Sequence, residues 1–225
     1  MTHRSSAPGP VSPDLWDPLV RMTHWGIALA VILNALLTRP GGSVHVWVGW
    51  GAMGLLLLRL LWGLVGTAEA RFSAFPPNPI AALRHLAQLV SGRPEGYLSH
   101  NPAGAMMAYA LWAMLTVVIV TGLLMARSTP WDIAAQEAAV AKGDWSAMVK
   151  TEGGDETTGG NEGDGEGVGS GLFGRDVLGT VHGTAANLML VLAALHVAGV
   201  VVEGRAMRRN LVRPMLLRAR ADRSR

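Results

Sequence analysis

Four apolar runs divide the chain: Leu19 to Leu37, His45 to Val65, Ala103 to Met125 and Thr180 to Val202. Each is close to the roughly 20 residues that a helix rising ~1.5 Å per residue needs to cross a bilayer. Thr38 to Val44 contains Pro40-Gly41-Gly42, a turn signal between two antiparallel helices. Asn101-Pro102 before the third run places an N-cap ahead of a proline at the first helical position, where its missing N–H costs nothing. The pattern predicts an all-α protein, a transmembrane four-helix up-down bundle with short connections.

The remaining segments are polar. Residues 1–18 form an arm with four prolines and too many polar residues for a signal peptide. Residues 19–125 carry the first three spans, 126–179 a long loop, 180–204 the fourth span and 205–225 an arginine-rich tail. Within the loop, Trp131 to Val149 is alanine-rich and reads as a short helix on the outer membrane surface. From Thr151 to Gly174 ten of 24 residues are glycine, six are acidic and none is basic. Such a stretch buries too little apolar surface to offset its ordering entropy and reads as a solvated linker.

Charge sets an expected orientation. The N-terminal arm, the connection after the second span and the tail together hold thirteen basic residues, and the opposite side five. Positive residues concentrate in the cytoplasm, so both termini are expected there. Composition agrees with a membrane protein: 50% of residues are hydrophobic and 16% charged. The absence of cysteine excludes disulfides, thiolate zinc sites, iron–sulfur clusters and covalently attached haem. Nothing points to nucleic acid.

Four of seven histidines, His24, His45, His182 and His196, fall within or at the ends of the spans. An ionisable residue in lipid is costly, faces the protein interior and marks function. His182 and His196 are 14 residues apart, close to four helical turns, so they share a face and stand about 21 Å apart along the axis. Depth pairs His24 with His196 near the inner surface and His45 with His182 near the outer one. Two imidazoles from facing helices at one level are what a six-coordinate b-type haem requires. A tetrahedral zinc or copper site wants four clustered ligands instead.

Ala186, Met189 and Ala193 complete a stripe between His182 and His196. Gly26, Ala28 and Ala30 thin the first span, and Gly49, Gly51 and Gly54 the second, leaving room for a flat macrocycle or for close helix contact. Arg21, on the face of His24, and Arg59, at the inner end of the second span, are candidates to neutralise haem propionates. The rest reads more plainly. His100 is an interfacial side chain, and His85 and His3 lie in polar surroundings and look inert. Asn34, Thr116, Thr121, Thr184 and Asn187 are candidates to line a quinone path, with hydrogen bonding between helices the plainer reading. Met106, Met107 and Met114 are packing residues.

The stretch Trp16-Asp17-Pro18-Leu19-Val20-Arg21-Met22-Thr23-His24-Trp25 is followed by His45 through Gly49, then Arg59 through Gly66 with Arg71-Phe72-Ser73. With His100-Asn101-Pro102-Ala103-Gly104, His182, His196 and Asn210-Leu211-Val212-Arg213, it resembles the bacterial cytochrome b-561 and nickel–hydrogenase cytochrome b family. The resemblance covers about residues 14–215 apart from the acidic insert. Ser99 stands where the family usually has glycine and Arg209 where it often has glutamate. The resemblance implies two b haems held by the first, second and fourth spans, His45/His182 outside and His24/His196 inside. It also implies electron transfer in the bacterial cytoplasmic membrane between a quinone and a soluble c-type cytochrome or a dehydrogenase or hydrogenase subunit. The alternatives are a self-contained superoxide or quinone oxidoreductase of the same fold, and a histidine-based metal or proton transporter.

Overall fold

The computed structural model describes residues 17–91, 101–126, 128–146, 174–208 and 210–216. Six helices form among them: α1 (Pro18–Leu36), α2 (Ser43–Val65), α3 (Pro79–Val90), α4 (Pro102–Met125), α5 (Pro130–Ala141) and α6 (Arg175–Ala206). Two 3-10 turns, Ala68–Ala70 and Phe72–Ala74, link α2 to α3, and a helical turn, Arg213–Leu216, follows α6. The described residues contain no strand. As the apolar runs predict, α1, α2, α4 and α6 are long and apolar enough to cross a membrane.

Four helices begin alike, with a capping side chain followed by proline. The Asp17 carboxylate accepts the Leu19 N–H at 2.8 Å ahead of Pro18, Asn78 accepts from Ala81 N–H at 2.9 Å ahead of Pro79, and Asn101 from Gly104 N–H at 2.6 Å ahead of Pro102. Thr129 and Asp132 close a reciprocal capping box around Pro130. Each cap satisfies an orphan N–H and each proline fills a position that needs no donor.

Two segments depart from expectation. The fourth span begins at Arg175, five residues early, and runs 32 residues to Ala206. Asp176 in its first turn and Arg205 in its last complement the helix dipole, so polar ends continue the helix beyond the apolar stretch. The connection after the second span holds α3, whose pattern is reversed. Ile80, Leu83, Leu86 and Val90 are exposed while Ala82 and His85 are buried.

The chain forms two compact units, and each long helix contributes residues to both. The first comprises Met1–Ile27, Gly54–Met114 and Leu188–Arg225. Beside Val20, Leu56, Phe75 and Met189, its buried positions are small or polar, among them Thr23, Arg59, Ala70, Ala82, His85 and Ala105, whereas Leu57, Leu61, Leu195 and Val197 are exposed. This inverted distribution suits lipid, where packing of small residues holds helices together and apolar side chains face outward. Gly26 is one such contact: a Cβ there would stand 2.7 Å from Leu55 Cδ1. It serves the approach of α1 and α2 rather than room for a macrocycle. Phe72, Phe75, Tyr109 and Trp112 form a ring cluster with centroids 5.5 to 6.4 Å apart.

The second unit comprises Ala28–Met53 and Leu115–Asn187. Here α2 is capped from a distance: Glu137 on α5 accepts the Ser43 N–H at 3.1 Å and the Ser43 hydroxyl proton at 2.5 Å. Those bonds, with the Arg39 charge, hold the Glu137 carboxyl below the usual carboxylate range. Trp47, Trp50 and Trp131 pack edge to face beside this clamp, with centroids 4.5 to 6.1 Å apart. The helix expected within Trp131 to Val149 is α5, begun by Pro130 and ended at Ala141, with residues 147–149 of the predicted stretch outside the described residues.

Candidate functional site

The four histidines come together in two pairs, one in each unit. In the second unit His45 enters from the first turn of α2 and His182 from α6, with ring centroids 6.3 Å apart. In the first unit His24 of α1 and His196 of α6 stand 6.2 Å apart. Metal–imidazole bonds are about 2 Å long, so a single metal ion bonded to both rings fills such a gap.

In the second unit the outward-facing nitrogens are fixed. The Thr121 hydroxyl donates to the Val117 carbonyl at 2.7 Å and stands 3.1 Å from His182 Nδ1. With its proton committed, the hydroxyl offers a lone pair, so His182 carries its proton on Nδ1 and leaves Nε2 free to ligate. Thr38 treats His45 in the same way. Its hydroxyl donates to Asn34 and lies 3.2 Å from His45 Nδ1, while the Asn34 amide donates to the His45 carbonyl at 3.1 Å. Both rings are aimed by a threonine, the orienting role that outer partners of metal-binding histidines take. Gly122 makes room: a Cβ there would stand 3.3 Å from His182 Cε1.

The first unit is built differently. His24 lies against Trp25, ring centroids 5.1 Å apart and edge to face, and its Nδ1 is buried without a hydrogen-bond partner among the described residues. A buried imidazole nitrogen with no partner is costly and calls for a ligand. Trp25 anchors the region by donating to the Met215 carbonyl at 3.1 Å. Met189, in the expected stripe of α6, is buried.

Arg21 sits one turn before His24, half-buried. Arg59 is 4% exposed. Its two terminal nitrogens donate to the Ala70 carbonyl at 3.3 Å, and its guanidinium lies 4.9 Å from the Trp112 ring centre. The guanidinium therefore ties the loop after α2 to the aromatic cluster while keeping a buried positive charge.

Sequence reading missed one cluster. His85, expected in polar surroundings, is 1% exposed and faces Glu203 of α6 at 3.7 Å. Asn101 donates its amide to the other Glu203 oxygen. Nothing in the sequence marked it, because Arg84 and Gln88 flank His85 as they would in a polar connection. His3 and His100 lie outside the described residues. Among the described residues no three histidine or carboxylate side chains gather as a metal site.

The sequence model of the family described as prokaryotic cytochrome b561 matches residues 15–218. No curated protein and no solved structure matches the chain.

Proposed function

The chain belongs to the prokaryotic cytochrome b561 family, a membrane b-type cytochrome of electron transfer, and we propose that it carries two haems, one per histidine pair. His45 and His182 hold one and His24 and His196 the other. Bound haem supplies reversible one-electron chemistry at iron.

The observation that supports this reading most strongly is the repeated spacing of 6.2 and 6.3 Å between imidazoles donated by separate helices. The protein's own work is to aim and to insulate. Thr121 and Thr38 fix the Nδ1–H tautomer and leave Nε2 as the donor atom. Small residues on the helices allow a flat group between them, and lipid-facing leucines and valines keep water away. Arg21 and Arg59 place positive charge in the unit of His24 and His196 to neutralise propionates and to favour an added electron.

As the partner we propose a membrane quinone on one side of the electron path and a soluble c-type cytochrome or a dehydrogenase or hydrogenase subunit on the other. The location is the bacterial cytoplasmic membrane. The thirteen-to-five distribution of basic residues supports cytoplasmic termini, with the arginine-rich tail on anionic lipid.

Haem content of single variants tests the ligand assignment. His182→Ala should lose the haem of the second unit and keep the other, and His24→Ala the reverse. Either variant retaining both haems with unaltered spectra contradicts the pairing. A colourless wild-type protein would favour the metal or proton transporter, and sustained superoxide or quinone turnover without a partner would favour the self-contained oxidoreductase.

A further inference from the structure

We infer that the C-terminal end of α6 and the segment after it form a binding site for one anionic phospholipid. Arg205 and Arg208 hold its phosphate, and an acyl chain lies along a wall of aliphatic side chains. This deepens the proposal that the tail meets anionic lipid and rests on it, but it is independent of haem. The site is an open groove of about 430 Å³ in the first unit, within the roughly 300–1,000 Å³ of ligand sites. Its apolar wall has two sources. Val200 and Val201 come from the last turns of α6, and Leu211 and Val212 return beside them after the helix has ended. Its polar end carries Arg205, Arg208 and Asn210, and no acidic side chain lines it.

The order of these residues matches the depth profile of a lipid leaflet. The apolar run closes at Val202, and Arg205 stands three residues beyond, about 5 Å further along the axis. The groove therefore passes from hydrocarbon to headgroup depth. Val201 and Arg205, four residues apart, share one face of α6. Glu203 is two residues from each and so points to the opposite side, where Asn101 and His85 meet it. The nearest carboxylate on the helix is thus turned away from the two guanidiniums.

Arg208 closes the groove. Its φ of 53° is in the left-handed region, a conformation common after a helix end but usually given to glycine, because a side chain disfavours it. The Arg208 N–H donates to the Arg205 carbonyl at 3.1 Å, and the chain then reverses. Asn210 Oδ1 accepts the Val212 and Arg213 N–H groups at 3.1 and 2.9 Å, so what its side chain offers a phosphate is its amide N–H. Trp25 of α1 donates to the Met215 carbonyl at 3.1 Å and anchors the returning segment. Guanidiniums bind phosphate through forked, charge-assisted bonds. A zwitterionic headgroup would bring its own cation against them, and free phosphate would leave the aliphatic wall unused.

Native mass spectrometry of the full-length chain in non-ionic detergent, titrated with phosphatidylglycerol, phosphatidylcholine and inorganic phosphate, tests this. One phosphatidylglycerol should bind ahead of any other, and both alternatives at least tenfold more weakly. Arg205→Gln and Arg208→Gly should each weaken that first binding by about tenfold, the scale of one lost charge-assisted hydrogen bond. Glycine suits the left-handed turn, so Arg208→Gly keeps the fold while removing the guanidinium, and it decides if Arg205→Gln does not fold. Arg213→Gln removes the same charge from the same segment outside the groove and should leave the first binding in place. Equal binding of phosphatidylcholine or inorganic phosphate, no loss in Arg208→Gly, or an equal loss in Arg213→Gln overturns the inference. The last result alone would leave standing the diffuse attraction of the tail to anionic lipid.

Discussion

Thr121 and His182 are joined across two helices by a hydrogen bond of 3.1 Å between the threonine hydroxyl and Nδ1 of the ring. The threonine hydroxyl donates to the Val117 carbonyl on its own helix at 2.7 Å, so what it offers His182 is a lone pair, and an Nδ1–H is the partner that matches it. A residue that reads as ordinary interhelical glue thereby selects which imidazole nitrogen is available to a metal.

Replacing Thr121 by valine keeps the shape and removes the acceptor. His182 Nδ1–H is then unsatisfied and the ring is free to turn. Loss of an orienting partner of this kind costs about 10- to 100-fold in metal affinity. Thr121→Val should release the haem of the second unit during extended washing while the other remains, and Thr121→Ser should restore retention. Pyridine haemochrome content after washing measures both.

Gly122 packs against the same ring. A Cβ at 3.3 Å from His182 Cε1 is tight contact that the neighbour must relieve, and the neighbour is the proposed ligand rather than a flexible chain end. Gly122→Ala should perturb the reduced spectrum of one haem, and Gly122→Val should reduce its occupancy. Gly26→Ala meets only the tip of Leu55 and should leave both spectra in place.

The clamp from Glu137 to Ser43 gives a pH dependence whose sign is set. The folded carboxyl titrates below its ordinary range, because Ser43 donates two hydrogen bonds to it. Its contribution to docking α5 is therefore present above the ordinary carboxylate pKa and is lost as pH falls through the lowered folded value. Trp131 fluorescence should report release of α5 in that acidic window. Glu137→Gln should show the released signal at neutral pH as well.

Arg59 is buried with its guanidinium on the Ala70 carbonyl and beside Trp112. Lysine keeps the charge but loses the planar fork and the stacking. Arg59→Lys should lower stability by about 1–3 kcal/mol, the range for leaving a buried acceptor poorly satisfied. Thermal unfolding of the solubilised protein, compared at equal haem content, measures it.

Much of this was legible in the sequence, for physical reasons. Apolar runs of spanning length must be helices in lipid, and α1, α2 and α4 start within a few residues of the expected positions. The 14-residue interval of His182 and His196 fixes one face of one helix, and depth then selects the partners His45 and His24. Thr38 and Thr121 were not legible as orienting groups, because a threonine in a membrane helix has no signature beyond hydrogen bonding. His85 was hidden by its neighbours. Arg84 and Gln88 make the segment look like a polar connection, while the exposed Ile80, Leu83, Leu86 and Val90 suggest an apolar face turned inward. Its partner Glu203 lies far along the chain, and only tertiary structure brings them together.

Haem stoichiometry of the purified full-length chain tests the central claim most directly. Pyridine haemochrome assay against protein concentration should give two b haems per polypeptide. A ratio of one, or none, would contradict an account in which both imidazole pairs hold iron porphyrin.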